Sequence, residues 1–505
     1  MNSKRKFDWL VFLIPLLLIA VVSACIFALP AASNSIISLL RYLVADTFGV
    51  FFLILGLFFF LLSIFLAFSR YGDIVLGNPD EKPKYSFFSW GSMMFTCGLA
   101  ADIIVYSFSE WIMYSENPHI SELGSMTDYA GVFPMFHWSF IPWSFYLVLA
   151  VIFGFMIHVK KRNRLRFSEA CRPLLGNYSD KLPGKIIDIF SLFALIAGTA
   201  TTFSIATPLL SGVIISFFGI NISRNLFTII ILLITCVIYS YAILHGIKGV
   251  DLLAKCCIGF FFGLLIFVFV CNDQKRFIIE NGFQSFGLML QHFFEFATYT
   301  DPARTTMFPQ DWTVYYWAYW MVWCIAAPFF IGNISRGRTI RQTILGGYLF
   351  GVGSTLVSFI ILGNYSLGKQ LMGQADFIST YRENNDIYET ILSIISTMNF
   401  PSVVLIIIMI SMILFYSTSF DAIAYTAACY SYEALEENAK PHWIVVLTWC
   451  IILITLPIAL VFSGSTMSNI QSVSIITALP IGIIMLAMVA GFFKDAGTAL
   501  KRSRK

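Results

Sequence analysis

A stretch in the second half of the chain, Trp312–Trp323, consists mostly of tyrosine and tryptophan. On a helix, residues spaced by three and four positions share one face, and that face is aromatic here: Tyr316, Tyr319, Trp320 and Trp323. Pro328 follows and favours an interruption of the helix just beyond the face. An aromatic surface beside a broken membrane helix can hold an organic cation by cation–π attraction. The alternative is a belt of aromatic residues at the membrane interface.

A carboxylate stands within an otherwise apolar part of the chain. Asp102 lies in the middle of the segment 87–113. In a membrane such a group is costly unless it faces water, a partner or a proton. Because burial disfavours the charged form of a carboxylate, Asp102 is a candidate for a proton that binds and leaves near neutral pH. It equally suits the role of counter-charge to a bound cation. The alternative is a helix-breaking aspartate that is bonded to nearby backbone.

The chain that must position these groups is very apolar. Of its 505 residues, 58% are hydrophobic and 12% are charged, and its mean hydropathy is +0.80. A soluble domain could not cover so much apolar surface, so this composition predicts an all-α integral membrane protein with several spans. The basic N-terminus lacks a signal-peptide cleavage pattern. The ten cysteines and six histidines have no pairing or ligand spacing, so we expect free thiols, no metal site and no cofactor.

Hydropathy predicts twelve membrane spans and one helix that lies on the membrane surface. The third span, about residues 87–113, is weak because it carries polar residues, and the fourth covers about residues 129–159. Residues 277–299 alternate acidic and amide side chains with phenylalanine and leucine, which is typical of a surface helix. The other ten spans cover about residues 9–28, 47–69, 186–217, 226–244, 250–270, 312–332, 343–362, 403–430, 443–462 and 473–493.

The distribution of basic residues predicts the orientation. Most lysines and arginines lie at the two chain ends and in the loops after the fourth and eighth spans, for example Lys160, Arg166, Arg336 and Arg341. By the positive-inside rule both termini are then cytoplasmic, which requires an even number of spans. The tail after Lys494 is short, so we expect no further soluble domain.

The third and eighth spans are both polar or interrupted, and each is followed by four more spans. This pattern suggests a five-plus-five inverted repeat, with both broken helices near the bilayer midplane and a binding site between them. We therefore divide the chain into a tail with two peripheral helices (1–86), a first repeat (87–272), a surface helix with a linker (273–309), a second repeat (310–493) and a basic tail (494–505).

Four motifs resemble the betaine/carnitine/choline transporter (BCCT) family. They are the stretches Phe136–Trp143, Tyr299–Pro302, Phe308–Trp320 and Ile334–Arg341. The match runs in order over most of the chain and is similar both to carnitine/γ-butyrobetaine antiporters and to proton-coupled choline transporters. The resemblance implies a LeuT-like fold with twelve transmembrane helices and a quaternary ammonium substrate. It also implies a homotrimer, in which the surface helix is a candidate contact.

Carried over residue by residue, the resemblance implies an aromatic box of four side chains from the fourth and eighth spans. These are Trp138, Trp143, Tyr146 and Trp320. Trp323 would lie lower on the transport pathway, and Tyr319 stands where many members have a tryptophan. A trimethylammonium group has no N–H donor, so aromatic ring faces rather than hydrogen bonds must recognise it.

The resemblance leaves two coupling ions open, the proton and sodium. Proton-coupled choline carriers of the family have an aspartate at the position of Asp102, where sodium-coupled betaine carriers have a glycine. Thr418 and Ser419 match the hydroxyl pair that helps to bind sodium, and Thr199 matches a second such position less securely. The alternative role of these hydroxyls is hydrogen bonding within their own helices.

One further comparison within the family concerns exchange without an ion. The ion-independent antiporters have a methionine in the eighth span and an arginine in the seventh span where other members bind sodium. This chain has Ala327 and Cys257 at those positions, which argues against the antiporter.

The sequence thus predicts a plasma-membrane secondary transporter that imports a quaternary ammonium compound, with choline first. The predicted mechanism is proton-coupled symport by alternating access around the aromatic box. Sodium-coupled symport of glycine betaine, and exchange of carnitine for a betaine, are the alternatives. A membrane enzyme would need a nucleophile, a metal set or a His/Asp pair near the membrane surface, and a receptor would need a signalling domain. Neither is apparent, and we expect no nucleic acid partner.

Overall fold

The computed structural model describes residues 6–97, 101–162, 164–245, 250–434 and 440–502. Over these residues the chain is helical apart from one antiparallel pair of short strands, β1 (Lys6–Phe7) and β2 (Tyr432–Ala434), and an isolated bridge between Val75 and Thr339. The predicted all-α class is therefore confirmed.

We call the helices at the twelve predicted spans the first to twelfth segments. In the first half, the unbroken segments one, two, five, six and seven are Trp9–Ala28, Gly49–Phe68, Leu182–Phe218, Arg224–His245 and Val250–Cys271. The third segment comprises Phe87–Thr96 and Asp102–Ser115, and the fourth comprises Val132–His137, Phe140–Gly154 and Phe155–Val159. Shorter helices lie between them: Pro30–Tyr42, Leu43–Thr47, Arg70–Asp73, Pro118–Leu123, Met126–Tyr129, Phe167–Ala170, Arg172–Leu175 and Gly176–Asp180.

The second half begins with the helices Lys275–Gln291 and Phe293–Thr298, at the predicted surface helix. The eighth segment comprises Pro309–Thr313, Val314–Trp323 and Ala327–Ile334. The ninth is a run of five joined helices: Ile340–Gly347, Tyr348–Val352, Gly353–Ser358, Phe359–Gly363 and Asn364–Leu371. After the short helices Phe377–Asn384 and Ile387–Ser396 come the tenth, eleventh and twelfth segments, which are Pro401–Tyr430, Trp443–Phe462 and Met467–Arg502.

Within the described residues, eight helices are long and apolar enough to cross a membrane, or up to ten if each of two bent pairs is counted as one span. One pair joins the seventh segment to Lys275–Gln291 at an angle of 116°, and the other is the eighth segment, bent by 57°. The third and tenth segments are not among these ten. The number of twelve spans therefore stays a prediction, as does the position of Lys275–Gln291 on the membrane surface.

The eighth segment breaks where the sequence predicts it. Residues 324–326 form a turn, and Pro328 is in the first turn of the following helix Ala327–Ile334. At that position the missing N–H of proline breaks no intrahelical hydrogen bond, so proline can begin a helix although it cannot continue one. The aromatic face therefore ends at a bend in the chain.

The fourth and eighth segments pack backbone against backbone. A Cβ atom on Gly332 would lie 2.7 Å from the carbonyl oxygen of Ala150 and 2.8 Å from the amide nitrogen of Gly154. Nothing larger than a hydrogen atom fits there. In the ninth segment, a Cβ on Gly351 would lie 2.5 Å from Cη2 of Trp143. These close approaches place the fourth segment against the eighth, and Trp143 of the fourth segment against the ninth.

A buried arginine holds the ends of several segments together on one side of the molecule. Arg166, which is 4% exposed, donates from Nη1 to Oδ2 of Asp188 at 2.9 Å and from Nη2 to the carbonyl oxygen of Tyr430 at 2.7 Å. It also donates to the carbonyl oxygen of Tyr432, in β2. The loop after the fourth segment is thereby fixed to the fifth and tenth segments.

Candidate functional site

The four residues of the aromatic box lie together in the core, and each is at most 5% exposed. Trp320 is the ring they share. Its ring centroid lies 5.7 Å from that of Trp138, 5.6 Å from that of Trp143 and 4.8 Å from that of Tyr146. The planes are tilted or edge-on to one another, so the rings from the two segments form one aromatic cluster. Such a group of faces can bind a quaternary ammonium ion.

Trp138 is held in position from three sides. Its ring centroid lies 5.7 Å from that of Tyr106 in the third segment, 5.8 Å from that of Tyr316 in the eighth and 5.4 Å from that of Phe359 in the ninth. Its carbonyl oxygen accepts a hydrogen bond of 2.6 Å from the Thr355 hydroxyl. Its indole orientation is therefore set by the surrounding segments.

The indole N–H groups of the box have different partners. That of Trp138 donates to Oε2 of Glu110 at 2.9 Å. Those of Trp143 and Trp320 are buried and have no hydrogen-bond partner among the described residues. The same holds for the indole N–H of Trp323, which is half-buried next to Gly198 of the fifth segment. These three groups are donors that an acceptor atom of a bound solute could satisfy.

Tyr319 is bonded to the buried carboxylate of the third segment. Its hydroxyl donates to Oδ2 of Asp102 and lies 2.5 Å from the hydroxyl of Thr202 in the fifth segment. Because a phenol has one proton, Thr202 is the donor in the second bond. The other oxygen of Asp102, Oδ1, is buried and has no hydrogen-bond partner among the described residues. The sequence singled out Asp102 and Tyr319 separately, and the structure joins them.

Three residues of the third segment form one stripe along its helix. Asp102, Tyr106 and Glu110 are spaced by four residues, so they share a face. Tyr106 contacts the ring of Trp138, and Glu110 binds its indole N–H. That face is therefore directed at the box, with one buried carboxylate at each end of the stripe.

A polar cluster to which the sequence assigns no role lies behind Trp138. Glu110 accepts a hydrogen bond from the hydroxyl of Tyr114, and that hydroxyl lies 2.9 Å from Nδ1 of His137. Nε2 of His137 lies 3.1 Å from the hydroxyl of Thr313 in the eighth segment. The available signal was weak: Glu110 is a second carboxylate eight residues after Asp102 in a membrane segment, which by itself suggests a function.

The hydroxyls that the resemblance relates to sodium are not brought together with the box by any described contact. Thr199 donates to the carbonyl oxygen of Leu195 at 2.7 Å, a bond within its own helix. Ser419 is half-buried, and the side chain of Thr418 lies outside the described residues. Of the two positions that mark the ion-independent antiporters, Cys257 is buried and Ala327 is half-buried.

The arginines of the motif Ile334–Arg341 contact the ends of the second and third segments. Arg338 donates to the carbonyl oxygen of Tyr85 at 2.9 Å and lies over the ring of Trp90 at 4.1 Å. Arg341 donates to the carbonyl oxygen of Ala67 at 2.8 Å. The end of the eighth segment is thus fastened to the start of the third segment.

The motif Tyr299–Pro302 forms the loop that leads into the eighth segment. The carboxylate of Asp301 accepts hydrogen bonds from the backbone N–H groups of Thr305, Thr306 and Met307 at 3.0, 2.8 and 2.7 Å. Burial would raise the pKa of Asp301, but these bonds favour the ionised form more strongly and lower the pKa to about 2. The loop is therefore organised by one permanently charged carboxylate.

Comparison with known proteins places this chain among transporters. The family profile described as "BCCT, betaine/carnitine/choline family transporter" matches residues 10–501. A carnitine transporter of Acinetobacter baumannii is 27% identical over 447 residues, which cover 87% of this chain and 80% of that protein. An uncharacterized transporter of Escherichia coli (strain K12), YeaV, is 26% identical over 450 residues, which cover 86% of this chain and 90% of that protein.

Proposed function

The chain belongs to the betaine/carnitine/choline transporter family and is therefore a multi-pass membrane transporter of quaternary ammonium compounds and not an enzyme. From this premise we propose that it imports choline by proton-coupled symport. The trimethylammonium group is held by the aromatic box of Trp138, Trp143, Tyr146 and Trp320. Asp102 supplies the negative charge next to the box.

The observation that carries the proposal is the free oxygen of Asp102. Its Oδ2 is bonded to Tyr319, whereas Oδ1 is buried without a partner in the described part of the chain. A buried carboxylate oxygen is costly unless something pairs with it. Choline has a cationic head and a hydroxyl donor but no anionic group, so it can satisfy this oxygen. The carboxylate of betaine or carnitine would instead be repelled by Asp102.

A zwitterionic substrate is the second candidate, and one observation favours it. The indole N–H groups of Trp143, Trp320 and Trp323 are buried donors with no partner among the described residues, and a substrate carboxylate could accept from them. The named function of the Acinetobacter baumannii relative is transport of carnitine. Sodium-coupled symport of glycine betaine, with Thr418, Ser419 and Thr199 at the ion, and carnitine/betaine exchange are the two forms of this alternative.

The proposed mechanism is alternating access in a LeuT-like inverted repeat, with repeats at 87–272 and 310–493 and both termini in the cytoplasm of a plasma-membrane homotrimer. The breaks in the third and eighth segments support this arrangement, because broken helices of this kind surround midplane binding sites. Trp323, the last residue before the turn at 324–326, lies on the inner continuation of the site. Tyr319 connects the eighth segment to Asp102.

Uptake of labelled choline into proteoliposomes tests the proposal. An inward proton gradient is compared with an inward sodium gradient, for the wild type and for Asp102→Asn. We expect the proton gradient to drive accumulation by the wild type, and Asp102→Asn to raise the KM for choline. If sodium drives uptake and Asp102→Asn does not change it, the role assigned to Asp102 is overturned. Thr418 and Ser419 are then favoured as the coupling site. Exchange of preloaded carnitine without choline uptake under either gradient would favour the antiporter.

A further inference from the structure

Glu110 is a second buried carboxylate at the box, on the opposite side of Tyr106 from Asp102. Its side chain has no solvent exposure, and its Oε2 is the acceptor for the indole N–H of Trp138. Within the described part of the chain, His137 is the one basic side chain in ion-pairing range, with Nδ1 3.7 Å from Oε1 of Glu110. A carboxylate with no fixed positive charge beside it can change its protonation state during a transport cycle.

The hydrogen bonds behind Glu110 all point in one direction. Tyr114 has a single hydroxyl proton and donates it to Glu110, so its oxygen must accept from Nδ1–H of His137, at 2.9 Å. This assigns the neutral Nδ1–H tautomer to His137 and leaves Nε2 as an acceptor. The hydroxyl of Thr313, 3.1 Å away, is then the donor to Nε2. Each donor in the chain is aimed toward the carboxylate.

The chain of bonds leads from the box toward the surface at the start of the eighth segment. Thr313 lies two residues after Asp311, whose side chain is 50% exposed and whose carboxylate is 3.5 Å from Arg41. In the proposed orientation this is the extracellular end of the segment. Thr313 itself is buried, so outer water reaches its hydroxyl only when this end of the segment opens outward.

The other titratable groups that face the cluster carry no positive charge. From the eighth segment, Tyr316 stacks on the ring of His137 with centroids 4.7 Å apart. Tyr315 of the same segment lies 2.7 Å, hydroxyl to hydroxyl, from Tyr106. From the third segment itself, Tyr106 and Asp102 lie one and two turns before Glu110. The charge on Glu110 is therefore opposed by no permanent cation of the described chain.

We propose that Glu110 binds the coupling proton and that Asp102 stays ionised and pairs with the cation, an inference that rests on the proton-coupled transport proposed above. During loading, Thr313 takes a proton from outer water and passes its own proton to Nε2 of His137. Nδ1 of His137 passes its proton to Tyr114, and Tyr114 passes its proton to Oε1 of Glu110. One proton enters the chain and one arrives, so no charge remains on the intermediate groups.

This division of roles gives an electrically balanced loaded site. Choline contributes one positive charge, Asp102 contributes one negative charge, and protonated Glu110 contributes none. Enclosing a site without net charge in a membrane costs less than enclosing an unbalanced one. Trp138 keeps Oε2 as its acceptor in either protonation state of Glu110, so the box geometry is preserved. In the inward-facing state, Glu110 returns its proton to the water that replaces choline.

The experiment compares Glu110→Gln with Asp102→Asn in the full-length protein in proteoliposomes that contain a pH-sensitive dye, with the membrane potential clamped. Two readouts are recorded: acidification of the interior on addition of external choline, and exchange of labelled for unlabelled choline at equal pH. Exchange requires binding and access to both sides but no net proton movement. Glu110→Asp, which keeps a carboxyl group, is the conservative variant.

For the wild type we expect acidification and, at one proton per choline, about tenfold accumulation for each unit of pH gradient. Glu110→Gln should still exchange choline, more slowly, but without acidification or accumulation, and Glu110→Asp should regain part of both. Asp102→Asn should raise the KM for choline about tenfold or more, because a charge opposite to that of choline is lost. Each choline that enters should still carry one proton.

If Glu110→Gln acidifies the interior as much per choline as the wild type does, the inferred role of Glu110 is overturned. The proposed proton-coupled function is then left intact. Absence of choline-dependent acidification in the wild type would overturn that function, and the role of Glu110 with it. If Glu110→Gln shows no exchange, His137→Gln decides, because it keeps Glu110 but cannot relay a proton between its side-chain atoms. Proton uptake at the wild-type rate in His137→Gln would overturn the inferred role.

Discussion

Gly332 lies directly against Gly154, with no side chain between the eighth and fourth segments. A Cβ at Gly332 would be 2.8 Å from the amide nitrogen of Gly154 and 3.2 Å from its Cα. Neither backbone can move away easily, because each carries box residues that are packed against one another. The distance between Ala327–Ile334 and the fourth segment is therefore set at this pair of glycines.

We expect Gly332→Ala to destabilise the protein by about 1–3 kcal/mol, as overpacking of a tight interior commonly does, and to raise the KM for choline. Thermal unfolding in detergent and initial uptake rates measure the two effects. Gly263→Ala is the matched control, because it lies within a helix and its added Cβ would meet no atom within 4 Å. Equal stability of the two variants would show that the contact between the fourth and eighth segments tolerates a methyl group.

The hydroxyl of Tyr319 joins the eighth segment to both Asp102 and Thr202, so its removal should matter more than removal of the Thr202 bond alone. In Tyr319→Phe, Oδ2 of Asp102 loses its hydrogen-bond donor, at a cost of about 1–3 kcal/mol for a buried acceptor. We expect a larger rise in the KM for choline in Tyr319→Phe than in Thr202→Val, which keeps the bond between Tyr319 and Asp102. The two KM values from initial uptake rates check this. The reverse order would place the important contact at Thr202.

Asp301 should stabilise the loop before the eighth segment at all physiological pH values. Its pKa of about 2 is below the value of about 3.9 expected for an unfolded chain. The stabilisation is therefore complete above pH 4 and is lost as the pH falls toward 2. Asp301→Asn should lower stability by about 1–3 kcal/mol, by the same amount at pH 5 and at pH 8. Thermal unfolding at the two pH values measures it, and a difference confined to one pH would contradict the assignment.

The limits of some segments follow from the sequence, whereas those of the ninth and twelfth, which are longer than predicted, and the pairing of polar groups do not. Hydropathy predicts the ends of Trp9–Ala28, and Pro328 predicts the break in the eighth segment. Both features depend on residues that are neighbours in the chain. The resemblance named the four box residues, and the structure brings these side chains together. The bond between Tyr319 and Asp102 joins residues 217 apart in the chain. No local pattern encodes such a pair.

The same reasoning explains why Glu110 was missed as a site residue. Its partner Trp138 is 28 positions away, and the bond that continues the chain from His137 to Thr313 spans 176 positions. A single acidic residue near the end of a membrane segment is compatible with an exposed position at the membrane surface. Only the packing of the third, fourth and eighth segments makes it a buried group beside the box.

Arg166 should be among the residues most important for stability outside the box, because it is buried and its guanidinium is bonded on two sides. Arg166→Gln leaves the Asp188 carboxylate without its charged partner, and removal of one member of a buried pair typically costs about 3–5 kcal/mol. The double variant Arg166→Gln, Asp188→Asn should lose less than the single one, since no unpaired charge remains. Thermal unfolding of both variants measures the difference.

Arg382→Gln, which removes an exposed pair with Glu116, is the control and should unfold as the wild type does. A double variant less stable than Arg166→Gln would show that the bonds of Asp188 to Ser168, and not the ion pair, hold this end of the molecule together.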